Sequence, residues 1–290
     1  MSKDLFARLE VLFSMVVFGT VGIFVKYIPL PSSVIAAARG IIGVAFLFAV
    51  VFIKREKLKP QEIKENLLLL TFSGAAIGFN WILLFESYKY TTVAAATLCY
   101  YLAPVFVVFA SPLVLGERLT AKSIISALSA LLGMVFVSGV LDGGITGGRG
   151  ILLASGAALL YATVILLNKK IRGLSPLSRT LLQLCAASVV ISPYAVATSD
   201  IGSFSLNGTE LFLLITVGVL HTGLAYFLYF GGIKTLPAQT AAILSYIDPV
   251  VAVLLSVFLL GEGMTLFVAL GAVLILGGSL LNELSFGKKH

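Results

Sequence analysis

Charge is what this sequence lacks. Asp, Glu, Lys and Arg make up 11% of its 290 residues, against 59% hydrophobic residues, and its mean hydropathy is +1.07. A soluble domain carries about 25% charged residues, so this chain has too few to cover a water-facing surface. Cysteine is equally sparse. Cys99 and Cys185 both fall inside apolar runs, which excludes a disulfide framework and marks them as ordinary buried residues. No second His or Cys stands at ligand spacing from His221, so neither a metal nor any other cofactor is expected. The formal net charge of +7 does not point to nucleic acid. Most of the basic residues sit in short loops between apolar runs, where membrane proteins concentrate them.

What the chain has in abundance is long apolar sequence. Residues 67–84 and 238–260 are nearly continuous apolar runs, the second interrupted by Asp248 and Pro249. In hydrocarbon, only helices and closed barrels satisfy every backbone polar group, and barrels read as short alternating segments. The fold class is therefore all-α integral membrane. Breaks at charged and turn-rich stretches give ten transmembrane helices, at 8–27, 33–53, 67–88, 91–114, 120–140, 150–168, 177–197, 209–232, 236–260 and 264–282, each near the ~20 residues a crossing needs. With both termini inside, 16 of the 20 Lys and Arg residues face the cytoplasm and 3 face outward, Arg39 being within a span. That bias selects N-in/C-in and a multi-pass protein of the cell inner, cytoplasmic membrane. The first span follows Lys3 and Arg8 with no A-x-A site after it, so it is expected to be retained rather than cleaved. No soluble domain is expected at either end.

The chain also repeats itself. Residues 91–118 resemble residues 236–263: Ala96 matches Ala241, Tyr101 matches Tyr246, Pro104 matches Pro249, Gly116 matches Gly261 and Glu117 matches Glu262. Upstream, Pro31, Gly78 and Lys89 match Pro176, Gly223 and Lys234. The domains are thus 1–142 and 149–290, each with five spans. Five is odd, so the halves cross the bilayer in opposite senses, as two inverted five-helix repeats. Transporters are built this way, with the substrate between the halves near the midplane. Gene duplication in another kind of membrane protein is the plainer alternative.

On these residues the chain resembles the EamA family of the drug/metabolite transporter superfamily. The matching pieces are Phe18-Gly19, Arg39-Gly40, Ser245-Tyr246-Ile247-Asp248-Pro249, and two copies of Pro-x12-Glu ending in Leu-Gly-Glu, at Pro104…Glu117 and Pro249…Glu262. Phe18 stands where the family often has Trp. The resemblance implies a ten-span metabolite carrier, often an exporter of amino acids or related compounds.

Several residues are candidates for the work of transport. Pro104 and Pro249 each free the carbonyl four residues upstream, so they are read either as packing kinks or as kinks that frame and gate a cavity. Asp248 lies about twelve residues into its span, at a depth where an ionisable group costs at least ~2.5 kcal/mol to insert. It is either a functional group, with protons as candidate coupling ions, or a hydrogen-bonded structural carboxyl. Ser245 shares its helical face. His221 is equally central and can be structural, a relay or a substrate contact. Arg39, roughly 9 Å from its outer span end at 1.5 Å per residue, can snorkel or hold a substrate carboxylate; Glu86 is a partner within its reach. Lys26 reads as a snorkelling residue. Asn80, Trp81, Tyr100, Tyr101, Tyr161 and Tyr246 sit at central depth, whereas Tyr and Trp normally collect at membrane interfaces. Together they suggest a substrate-binding pocket with an aromatic wall. Glu117 and Glu262 read as helix starters, each following a glycine that ends the previous helix.

The expected function is secondary transport of a small-molecule substrate by alternating access, with the lipid bilayer as the other partner. A facilitative channel or uniporter is the alternative. An enzyme is not expected: no H-E-x-x-H or G-x-S-G occurs, and a single Asp lies at midplane depth. A receptor would need a larger readout loop than the longest one here, about 13 residues at 54–66. Monomer and dimer are both compatible with ten spans.

Overall fold

The computed structural model describes residues 3–116, 121–137, 147–200, 202, 204–236, 244 and 247–286, and its described residues form helices and no strand. In chain order the helices are α1 (Lys3–Lys26), α2 (Ser32–Ile53), α3 (Pro60–Ser87), α4 (Val93–Tyr100), α5 (Ala103–Leu115), α6 (Ala121–Val137), α7 (Gly148–Asn168), α8 (Pro176–Thr198) and α9 (Gly208–Thr216). A π-helical stretch, Val217–Leu224, follows, then α10 (Ala225–Thr235), α11 (Ile247–Leu260) and α12 (Leu266–Phe286). By length and composition, 7 helical stretches can cross a membrane, and three shorter apolar helices accompany them.

Local sequence sets most of these boundaries. Pro60 and Pro176 open α3 and α8, where a missing N–H costs nothing. Thr92 and Ser175 cap α4 and α8 through their side chains, and Asn207 with Glu210 forms a reciprocal capping box on α9. The glycines of both Leu-Gly-Glu motifs end their helices in the left-handed region, Gly116 at φ 70° and Gly261 at φ 64°. The helix also breaks at Tyr101–Leu102, just ahead of Pro104. There the free carbonyl and the restricted residue before proline both disfavour continuation.

The closest-packed pairs all join a helix ending by Val137 to one starting at Gly148 or later: α6 with α12, α3 with α7 and α8, α2 with α8 and the π stretch, α1 with α10 and α11, α5 with α7, α4 with α11. The tightest is backbone against backbone. A Cβ placed on Gly133 would meet the Gly271 carbonyl at 2.7 Å, and one on Gly278 would meet the Ser126 carbonyl at 2.8 Å. Small residues let helices approach this closely in lipid. Gly271→Leu is expected to cost about 1–3 kcal/mol of stability through overpacking, read as a lowered melting temperature in detergent. An unchanged melt would mean the crossing is looser than described. Outside this packing, Phe52, Leu68, Leu113, Leu152 and Phe258 are 70–90% exposed, an apolar exterior suited to acyl chains.

Candidate substrate chamber

Arg39 is the best-buried cation among the described residues, 4% exposed in the middle of α2. Its guanidinium carbon lies 4.2 Å from the Trp81 ring centroid and 5.2 Å from that of Phe85, both on α3. These are cation–π distances. Its Nε donates to Thr222 Oγ1 at 2.9 Å. Among the described residues the ion pairs are Arg8–Asp4, Lys26–Glu262, Lys59–Glu62 and Lys89–Glu86. Arg39 therefore meets no carboxylate. Glu86, the partner considered from sequence, instead accepts from Ser32 at 2.7 Å and from Lys89 at 2.8 Å. The reason is position: Glu86 is at the end of α3, where these two groups lie beside it, whereas Arg39 is inside the bundle.

The π stretch holds this corner together. Thr222 and His221 are consecutive and wholly buried. Thr222 donates to the Val217 carbonyl five residues back at 2.9 Å while accepting from Arg39. His221 reaches Thr20 Oγ1 of α1 with Nε2 at 2.8 Å and the Thr216 carbonyl with Nδ1 at 3.3 Å. Thr20 has a single hydroxyl hydrogen and also lies 2.8 Å from the Val17 carbonyl, so which of the two partners donates along the Thr20–Nε2 contact depends on the tautomer of the ring. Both ring nitrogens are thereby engaged. Two neighbouring side chains of one widened turn thus grip α1 and α2. Single-turn π insertions in α-helices recur at functional sites.

Asp248 is the second residue of α11. Its Oδ2 accepts from the Tyr101 hydroxyl at 3.0 Å, across the break between α4 and α5. It has no ion-pair partner among the described residues. Gly19 lets α1 lie against its backbone: a Cβ there would sit 2.6 Å from the Asp248 carbonyl oxygen. The Phe18-Gly19 and Arg39-Gly40 pairs thus serve packing through their glycines, Gly40 lying against Ser188 of α8.

Several tyrosines lie near both Arg39 and Asp248. Tyr88, Tyr100 and Tyr226 are within electrostatic range of both groups. Tyr100 stacks on Tyr161 at 5.5 Å, approaches Tyr101 at 6.4 Å and reaches Asn80 Oδ1 at 3.4 Å. Asn80 in turn donates to the Ala157 carbonyl at 2.5 Å. Tyr226 lies close to Trp81, and Phe18 packs on Tyr226 at 5.2 Å and Tyr229 at 6.3 Å. Tyr161 is 39% exposed yet within range of Tyr226, Tyr229 and Asp248. The result is a hydroxyl-rich cluster with a buried cation on one side and a carboxyl on another. A separate cavity of about 340 Å³, lined by Lys3, Phe6, Ala7, Glu10 and Thr235, holds none of these groups.

Of the residues singled out from sequence, the structure brings Arg39 onto Trp81, and Tyr100 together with Asn80, Tyr101 and Tyr161, with Asp248 on Tyr101. It places His221 beside this cluster, in a structural hydrogen-bond network. Pro104 follows the α4–α5 break and Pro249 is the third residue of α11. Ser245, Tyr246 and Glu117 lie outside the described residues. Tyr226, Tyr229 and Thr222 were not singled out, although Thr222 and Tyr226 share a helical face at i, i+4. Glu262 starts no helix of its own: α12 is capped by Thr265, which accepts from Val268 N at 3.2 Å. The Glu262 carboxylate turns instead to the backbone amides of Val93 and Ala94, at the N-terminus of α4.

Comparison with known proteins gives the context. A model of the EamA-like transporter family matches residues 5–139 and 148–284. An uncharacterized transporter of Bacillus subtilis, YxxF, is 32% identical over 285 residues, covering 95% of this chain and 88% of its own length. An uncharacterized transporter of Archaeoglobus fulgidus is 29% identical over 277 residues, covering 95% and 96% respectively. The protein RarD of Salmonella typhi is 25% identical over 238 residues, covering 80% and 78%. One solved crystal structure shares the fold with a TM-score of 0.67 at 20% identity, over 96% of both chains.

Proposed function

Because the chain belongs to the EamA-like transporter family and is therefore a membrane transporter, we propose that it is a secondary carrier for a small zwitterionic metabolite, an amino acid or related compound, which it exports by alternating access. The observation that carries this reading is the cluster of buried polar groups around Arg39, the central tyrosines and Asp248. Arg39 and Asp248 belong to it as ionisable groups without ion-pair partners among the described residues, with tyrosines near both. A planar guanidinium suits a carboxylate, and a carboxylate suits an ammonium group. A zwitterion would answer both while its carbon skeleton lies against aromatic rings.

Ten spans in two inverted repeats, 1–142 and 149–290, with both termini in the cytoplasm, complete the proposal. The packing supports the repeat. At the 145-residue offset of the sequence match, Gly133 pairs with Gly278 and Ser126 with Gly271. The Gly133–Gly271 and Gly278–Ser126 contacts are then mates of each other. The α3–α7 and α1–α10 contacts are related in the same way. The charge bias supports the orientation and the cytoplasmic membrane.

The test is counterflow in proteoliposomes loaded with candidate amino acids, alongside nucleosides and sugars. Saturable counterflow of an amino acid that neutral sugars do not compete with is expected. Unitary currents without counterflow would favour a channel and sink the carrier reading. Thr222 supplies a finer check. Thr222→Val removes the acceptor that aims Arg39, so KM for a carboxylate substrate should rise about tenfold, one lost hydrogen bond to a charge. Maximal rate should change little, while the melting temperature should fall, because the buried Arg39 Nε loses its acceptor. A loss shared equally by substrates without a carboxylate would assign Thr222 to packing alone.

A further inference from the structure

The connection between α11 and α12 reaches across the molecule at the end where α1 stops. Glu262, one residue past the left-handed Gly261, has a side chain only 8% exposed. Its Oε1 accepts from Lys26 Nζ at 2.6 Å and from Val93 N at 3.1 Å, while Oε2 accepts from Ala94 N at 3.4 Å. Lys26 ends α1 and Val93 begins α4. The rest of the α4 terminus is already provided for, Ala95 N by the Thr92 hydroxyl at 3.0 Å and Ala96 N by the Thr92 carbonyl at 3.0 Å. One carboxylate thus completes the capping of a helix distant in sequence and binds Lys26 as well. Directly beneath, α1 touches the first residue of α4: a Cβ on Gly22 would meet Val93 Cγ1 at 2.5 Å. Val93 itself is 1% exposed.

We propose that Glu262 is a latch that holds this end of the carrier closed by tying the α11–α12 connection to the ends of α1 and α4. The inference rests on the alternating-access reading, in which this end must part once in each cycle. Its chemistry fits a contact that has to break. The bonds are charge-assisted and short, so they are specific when made. Lys26 is 35% exposed at its side chain, so water reaches the rim and can take over the same groups when the helices separate. A hydrophobic plug here would lack that exchange. Neutralising the carboxylate removes the pair with Lys26 and weakens the hold on the α4 amides, and the closed population should fall.

The experiment uses the full-length chain in lipid nanodiscs, where both faces are accessible. Val93→Cys reports closure, because its side chain is buried beneath the latch. Its modification by a water-soluble maleimide is followed by peptide mass mapping, which separates it from Cys99 and Cys185. Glu262→Gln is expected to raise the rate of modification at least fivefold. Lys26→Gln leaves the amide caps in place and should raise it by a smaller factor, so it carries the test even if the first variant does not fold. Unchanged modification in Lys26→Gln and in any folded Glu262→Gln, with normal counterflow, overturns the latch while leaving the carrier reading intact. Absence of counterflow in the unmodified protein would instead overturn the carrier reading on which the latch rests.

Discussion

Arg39→Ala is expected to reduce transport of a carboxylate-bearing substrate by about 10- to 100-fold. A hydrogen bond to a charged group contributes about 1.5–3 kcal/mol, and each 1.4 kcal/mol is tenfold. The loss should appear mainly in KM if Arg39 holds the carboxylate through the whole cycle. Arg39→Lys should not rescue it. An ammonium on a flexible stem cannot stack on Trp81 and donate to Thr222 and to a substrate at once, whereas the guanidinium is already seated over the ring at 4.2 Å. Uptake assays with a matched pair, one substrate with a carboxylate and one with its amide, decide the matter. Equal losses for both would make Arg39 a structural residue. The same variant leaves space against Trp81, so melting temperature should be recorded beside transport to keep folding and binding apart.

Asp248→Asn is expected to cut transport at least tenfold, again the scale of one charge-assisted contact, and to flatten its pH profile. The carboxyl belongs to the central cluster, and its Oδ2 already accepts from Tyr101. An amide can keep that acceptance but cannot exchange a proton or balance a substrate ammonium. Tyr101→Phe provides the control. It removes only the hydroxyl, so it should weaken transport modestly, by the roughly 0.5–1.5 kcal/mol of an ordinary hydrogen bond, and keep the pH dependence. Wild-type rates and wild-type pH dependence in Asp248→Asn would remove both the ammonium contact and any proton coupling from the scheme.

Much of the architecture is visible in the sequence because lipid demands so simple a pattern. Long apolar runs bounded by Lys and Arg have few readings, and the helices fall close to where those runs lie. The central tyrosines were legible for the same reason, since Tyr100, Tyr101 and Tyr161 are out of place at that depth. The π stretch was not. Nothing in Val217–Leu224 spells a widened turn. It exists through what its side chains hold, Thr20 on one helix and Arg39 on another, and those partners come from distant parts of the chain. Tyr226 and Tyr229 escaped because a tyrosine near a span end reads as interfacial. Glu262 was misread because a glutamate after a helix-ending glycine suggests, locally, the start of the next helix. Its real partners are the amides of Val93 and Ala94, separated from it by 169 and 168 residues. Periodicity cannot report a bond of that range.

The cross-packing described above has a consequence for how the protein comes to be made. Every one of its tightest helix pairs unites an early helix with a late one. While α1 to α6 are leaving the ribosome, none of those partners exists. Gly133 has no Gly271 to lie against, Arg39 has no Thr222, and the α4 amides have no carboxylate. The early helices must wait in the bilayer, inserted but unassembled, until α7 and its successors arrive to thread among them. Assembly is then a late and collective event, and a truncated chain should persist as a substrate for quality-control proteases rather than as half a transporter.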